Sequence, residues 1–103
     1  MKRKRPTKTL CQRQHFKNRL AERFGITINK ITYNDLLMVV RNQSGIVKLM
    51  VNGVLKTFRH RGDCYKQTNR ISIHYIISDD QDIVIPIAYD KDRKTLVTTH
   101  QKL

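Results

Sequence analysis

The chain has 103 residues, a length that suits one domain with a single modest core. Its 21 Lys and Arg residues outnumber its 8 Asp and Glu residues, so the formal net charge is +13. This excess favours a polyanionic partner, usually nucleic acid, with an anionic membrane as the competitor. No apolar run is long enough to span a bilayer, and the two cysteines are too few for a disulfide framework. We therefore expect no membrane partner, no secretory signal and a reduced, cytoplasmic location.

The first eight residues form a predicted flexible basic arm, set apart from a domain over residues 9–103. A run of like charges is normally solvated until it meets an anion, and Pro6 discourages an early helix. We expect the cations of this arm to bind nucleic acid, and they are Lys2, Arg3, Lys4 and Arg5.

Two helices are predicted next. Thr9 is a plausible N-cap for a helix that runs to about Phe24, and Gly25 supplies the glycine that commonly ends a helix. Thr32 is the predicted N-cap of a shorter helix that ends near Arg41.

The pattern of apolar residues and turns in the rest of the chain predicts β-strands. Asn52-Gly53 lies between two apolar runs and predicts a β-hairpin. "RGDCYKQTN" is predicted as a loop, "RISIHYII" alternates as a strand does, and "TLVTTH" is the last strand. Pro86 in "IVIPIAYD" predicts an edge position or a bulge. The expected fold is α+β, with two N-terminal helices followed by a four- to five-stranded antiparallel sheet.

The first predicted helix carries two rows of side chains, each with a spacing of four residues. One row is apolar and should dock on the sheet, and the other is basic and lies about 100° away at the border of the buried face. The apolar row is Phe16, Leu20 and Phe24, and the basic row is His15, Arg19 and Arg23. The basic row is either a solvated helix face or a phosphate-binding row that faces a cleft.

A second group of polar residues belongs to the predicted sheet. In "RISIHYII" we expect Ile71, Ile73, Tyr75 and Ile77 to face the core, so that the alternate residues line an open face. The open face would then carry Arg70, Ser72 and His74, joined by Thr98 and His100, with Arg59, His60 and Arg61 from the preceding loop.

These residue types suit metal-independent RNA cleavage. Histidine titrates near neutral pH and can act as base or acid, and the arginine fork matches phosphate oxygens. We predict no metal and no other cofactor. A zinc site from Cys11, His15, His60 and Cys64 is the less favoured alternative, because its spacing matches no common pattern. Cys11 is expected to be a small buried hydrophobe. Seven aromatic residues and no Trp argue against an aromatic-stacking sheet.

The stretch "QHFKNRLAERFGI" resembles the first helix of small ribonuclease domains of the barnase–EndoU–colicin–RelE type, among them RegB, BrnT and RelE. "RISIHYII", "IVIPIAYDKDRK" and "TLVTTH" are similar to the later strands of those domains, so the resemblance covers roughly residues 10 to 100. It implies RNA cleavage without metal, toxin–antitoxin context, RNA on the ribosome or in messenger RNA as substrate, and an acidic antitoxin as protein partner. The catalytic residues that it implies are His15, Arg19, Arg70, Thr98 and His100.

Two other classes of function remain open. The same charge would serve a non-catalytic nucleic-acid-binding protein, whose histidines and arginines need not meet at one phosphate. A small protein-interaction inhibitor would show little dependence of partner binding on salt. For a nuclease and for a non-catalytic binder alike, the further nucleic-acid-binding candidates are Arg23, Arg59, Arg61 and His74.

Overall fold

The computed structural model describes residues 8–99, which form two helices followed by five antiparallel strands. The predicted α+β fold is confirmed. The elements are α1 (Lys8–Phe24), α2 (Lys30–Asn42), β1 (Ile46–Val51), β2 (Val54–Lys66), β3 (Ile71–Ser78), β4 (Val84–Asp90) and β5 (Thr95–Thr99). The predicted sites Lys2, Arg3, Lys4, Arg5 and His100 lie outside the described residues.

The apolar row of α1 packs as predicted. Phe16 and Leu20 are fully buried, and the partly buried Phe24 packs against the same core. Gly25 ends the helix with φ of +66°. The backbone angle favours glycine here, and a Cβ would lie 2.0 Å from the side-chain oxygen of the exposed Asn52, which would have to move.

The start of α2 differs from the prediction. The N-cap is Asn29, whose side-chain oxygen accepts a 2.8 Å hydrogen bond from the backbone N–H of Thr32. Thr32 therefore occupies the third helical position. Asn is at least as good a cap as Thr, because its side-chain oxygen reaches the same free N–H groups, so the earlier residue takes the role.

The five strands lie in the sheet in chain order, β1-β2-β3-β4-β5. The hairpin at Asn52-Gly53 joins β1 to β2 as predicted, with Val51 facing Val54. The segment "RGDCYKQTN" is only partly a loop, since β2 continues to Lys66 through a register shift between His60 and Cys64. A bulge of this kind lets a strand keep its partner while carrying extra residues.

Pro86 does not lie on an edge strand. β4 is paired with β3 on one side and with β5 on the other, and Pro86 faces Tyr75. Among the described residues β4 pairs with β5 from Ile87 onward, one residue after Pro86, and the Pro86 carbonyl accepts a 2.8 Å hydrogen bond from the Thr99 hydroxyl. The register of β4 against β5 shifts at Ala88 and Tyr89, and the extra residue is Val97 of β5.

The two faces of β3 are the reverse of the prediction. The helices pack on the face that carries Phe58, His60, His74, Ile76 and Ile87, which we call the inner face. The opposite, outer face carries Arg59, Ile73, Tyr75, Ile77 and Thr98. Ser72 and His74 are therefore buried, with only 4% of each residue exposed. The register of β3 is fixed by its pairing with β2, where Ser78 faces Phe58, and with β4, where Ile76 faces Ile85. A shift of this register by one residue would exchange the two faces of the strand.

The core lies between the helices and the inner face. Tyr33 of α2 is its largest side chain: its ring meets Phe16 edge-on, and its hydroxyl accepts a 3.0 Å hydrogen bond from the backbone N–H of Leu96. This bond ties α2 to β5 across the interior. Within the described residues, neither helix is long and apolar enough to cross a membrane.

Candidate nucleic-acid interface

Two arginines stand side by side on the outer face. Arg59 faces Ile77 across the β2–β3 ladder, and the Arg61 guanidinium lies 4.4 Å from the centre of the Tyr75 ring. They line a cleft of about 370 Å³. We call this the basic cleft, and its lining is Arg59, Arg61, Ile77, Ser78, Asp79 and Gln81.

Each arginine is held by a carboxylate. Arg59 donates to Asp79 from Nε and Nη2 at 3.0 and 2.8 Å, and Arg61 donates to both oxygens of Asp63 at 2.7 and 2.5 Å. The hydrogen bond from Arg61 lowers the pKa of the Asp63 carboxyl. About half of each carboxylate is exposed, and such surface pairs contribute little stability. A phosphate that binds either arginine must therefore displace a half-exposed carboxylate or share the guanidinium with it.

Arg61 lies next to the bulge of β2. Gly62 has φ of +101°, an angle that favours glycine, and its N–H donates a 2.9 Å hydrogen bond to Nδ1 of His60. Successive strand residues alternate between the faces, so His60 points to the inner face and Arg61 to the outer face, and the bulge begins directly after them. Residues 59–61, which were predicted to lie in a loop, are therefore part of β2, and their side chains alternate between the two faces of the sheet.

A pair of buried histidines lies beneath the bulge. Nε2 of His60 is 3.0 Å from Nδ1 of His74, and 8% and 4% of the two residues are exposed. Because Nδ1 of His60 accepts from Gly62, its proton is on Nε2 and is donated to His74. Burial, with the charges of His60 and Lys91, lowers the pKa of His74 to about 4. Burial also lowers the pKa of His60, against the opposing effect of Asp63.

These contacts give the histidine pair a structural role. Both rings are neutral at neutral pH, and neither is exposed enough to meet a phosphate. The prediction that His74 lines an open face beside Arg70 and Ser72 is therefore wrong.

The three residues of the basic row of α1 have different surroundings. His15 is exposed, Arg19 donates to the exposed Glu22 at 3.1 Å, and Arg23 donates to the backbone carbonyl of Thr99. Arg23 thereby joins the end of α1 to the end of β5. Of the three, His15 has the side chain most open to solvent.

The other predicted catalytic residues lie elsewhere. Arg70 precedes β3 and its Nε lies 3.3 Å from the buried carboxylate of Asp90, while Thr98 is half-buried and faces Ala88 on the outer face. Among the residues that the structure describes, no hydrogen bond or ion pair joins His15, Arg70 and Thr98 to one another.

Sequence reasoning missed the importance of Asp90. It is fully buried and accepts hydrogen bonds from the backbone N–H groups of Asp92 and Arg93, both at 3.0 Å, and from Gln12 of α1 at 3.4 Å. Burial alone would raise the pKa of Asp90, but these bonds and Arg70 lower it. An Asp at the start of the turn "DKDRK" is the signal for such backbone capping.

The zinc alternative gains no support in residues 8–99. No group of three or more His, Cys, Asp or Glu side chains in that range could hold a metal ion. Cys11 and Cys64 are both free and exposed, so the prediction that Cys11 is buried is wrong. The helix turns Cys11 away from the face that carries Phe16 and Leu20.

Comparison with known proteins assigns no family. No protein-family model, no curated protein and no solved structure matches this chain. The resemblance to small ribonuclease domains remains a prediction.

Proposed function

We propose that the protein binds RNA and that the basic cleft is the main contact. The observation that carries the proposal is the placement of Arg59 and Arg61 on one exposed face, lining one cleft, with Arg61 stacked on Tyr75. Two guanidinium forks in one cleft suit successive phosphates of a strand, because each fork can donate two parallel hydrogen bonds to phosphate oxygens.

The surrounding charge supports a polyanion over a small anion. The whole chain carries +13, and Lys48 is exposed on β1, two strands from Tyr75. Such a field attracts a long anion at many points and makes binding strongly dependent on salt. We place this activity in the cytoplasm, since the free thiols of Cys11 and Cys64 suit a reducing compartment.

Metal-independent RNA cleavage is the second candidate, and the cleft itself favours it. Asp79 brings a carboxylate into the cleft beside Arg59, which gives a base for the 2′-hydroxyl next to a cation for the phosphorane. The 2′-oxygen forms a bond to phosphorus as the bond to the 5′-oxygen breaks, and the 5′-oxygen leaves with a proton from water. The resemblance instead implies a catalytic set with His15, Arg70 and Thr98. Asp79→Asn and His15→Ala distinguish the two sets, because only the variant in the true set should lose cleavage in the presence of EDTA.

The test of RNA binding is a titration of labelled RNA with single variants. Arg59→Ala and Arg61→Ala should each weaken binding about tenfold, the scale of a lost charge-assisted contact. Arg41→Ala is the matched control: it removes the same charge from an exposed site at the end of α2, and it should change affinity less than twofold. Equal losses at all three sites would refute a localised interface. Tighter binding of DNA than of RNA would refute the choice of nucleic acid.

A further inference from the structure

A tyrosine extends the outer face beyond the basic cleft. Tyr65 of β2 is 50% exposed and faces Ile73 across the ladder. Ile73 and Tyr75 are alternate residues of β3 and so share a face. Tyr65 therefore lies on the same face as the Arg61–Tyr75 stack, and the side chain of Ile73 between them is covered, with 1% of the residue exposed.

The spacing along this face is regular. Alternate residues on one face of a strand are about 7 Å apart. Tyr65 and the Arg61–Tyr75 stack thus offer two flat groups in sequence, followed by the fork of Arg59 at the far end. The guanidinium of Arg61 has one side on the Tyr75 ring, and 40% of the Arg61 side chain is exposed, so the side chain is open to another planar group.

Planar side chains on an exposed sheet face bind unpaired bases. Bases stack on Tyr rings and on Arg guanidinium planes, and this contact tolerates any sequence because every base has a π-face. In a duplex the same base faces are already stacked on their neighbours and cannot reach the protein. Cations alone would not distinguish the two forms in this way, since both present phosphates.

We infer that the outer face binds single-stranded RNA, with bases stacked on Tyr65 and on the Arg61–Tyr75 pair; the inference rests on the proposed RNA binding. Arg59 then contacts the phosphate that follows the stacked bases, and the N–H edge of Arg61 contacts the neighbouring phosphate while its plane stacks on a base. The face selects an unpaired strand by its bases and holds it by its phosphates.

The experiment compares one labelled RNA of twelve nucleotides as a single strand and as a duplex, at the same salt. The single strand should bind at least tenfold more tightly. Tyr65→Ala should lower single-strand affinity about tenfold, within the range measured for loss of one stacked base. Tyr65→Phe keeps the ring and should bind like the wild type.

Two further variants separate stacking from charge and from exposed surface. Arg61→Lys keeps the charge and removes the plane, so it should weaken single-strand binding while leaving the salt dependence unchanged. Ile31→Ala removes a side chain from α2 that is 72% exposed, and it should have no effect. A 2-aminopurine base in the RNA should lose fluorescence on binding to the wild type and to Tyr65→Phe, and lose less with Tyr65→Ala.

The results of these measurements distinguish a failure of the stacking inference from a failure of the proposed RNA binding. Equal affinity for strand and duplex, or full affinity of Tyr65→Ala, overturns the stacking inference while the protein still binds RNA. Absence of binding to either form overturns the proposed function and the inference with it. Thermal melts of each variant confirm that the fold is intact.

Discussion

Lowering the pH from 7 to 5 should destabilise the protein through its buried histidine pair. His74 has a pKa of about 4 in the folded chain, compared with 6.5 for an ordinary histidine. The folded state therefore binds fewer protons than the unfolded state between these two values. Stability is complete above pH 6.5, falls as the pH drops, and levels off once His74 is protonated in the folded state near pH 4.

The size of the loss in stability follows from how far pH 5 lies below the pKa of histidine in the unfolded chain. One pH unit below the unfolded pKa costs about 1.4 kcal/mol per depressed group, so 1.5 units give about 2 kcal/mol at pH 5. His60 adds to the loss, because its pKa is lowered as well. The carboxylates with lowered pKa values, among them Asp63 and Asp90, lose their contribution only below about pH 4, so they do not interfere.

The assay is urea unfolding at pH 7 and at pH 5. The wild type should lose about 2 kcal/mol in the free energy of unfolding, and His15→Gln, an exposed control, should lose as much. His74→Gln should lose clearly less. NMR titration of the wild-type imidazoles gives a second readout that needs no variant. Equal stability at both pH values, or a His74 ring that titrates near pH 6.5, would refute the reasoning.

Three further predictions concern stability. Phe16→Ala and Leu20→Ala should each cost about 2–5 kcal/mol by urea unfolding through cavity formation, whereas His15→Ala on the same helix should cost less than about 0.5 kcal/mol; similar losses at all three would contradict the assigned faces. Asp90→Ala should cost about 2–4 kcal/mol, because it removes the acceptor of two backbone N–H groups and of the Gln12 amide N–H, and a neutral substitution would show that this network is dispensable. EDTA should leave the melting temperature unchanged, whereas a structural zinc would lower it sharply on chelation.

Local patterns were sufficient to predict much of the fold. The row of Phe16, Leu20 and Phe24 with Gly25 after it defines α1, because helix periodicity and termination are properties of neighbouring residues. The Asn52-Gly53 hairpin is equally local. Both features appear in the structure where they were expected.

The faces of β3 were not predictable in the same way. Both rows of "RISIHYII" contain isoleucine, so the sequence pattern alone did not decide which row is inside. Pairing of Phe58 with Ser78 and of Ile76 with Ile85 decides it, and these contacts are made between strands, outside the pattern of β3 itself. Because the prediction used only the pattern within β3, it placed His74 on the open face, whereas the residue is buried.

The site was predictable only in part. Arg59 and Arg61 were recognised as cationic donors, but their common cleft depends on the pairing of β2 with β3, the strand that carries Tyr75. The small number of aromatic residues argued against a stacking surface. The number of aromatic residues does not show where they lie in the fold. Two of the tyrosines, Tyr65 and Tyr75, share one face of the sheet.

The most direct test of the central claim is the salt dependence of RNA affinity in the wild type and in the double variant Arg59→Ala with Arg61→Ala. A protein that neutralises several phosphates shows a steep fall of log K with log salt, by about 0.7 per phosphate on a single strand. Loss of two contacts in the basic cleft should reduce this slope by about 1.4, and Arg41→Ala with Lys30→Ala, on α2, should leave it close to the wild-type value. A flat slope in the wild type, or the same slope in both double variants, would contradict RNA binding at the basic cleft.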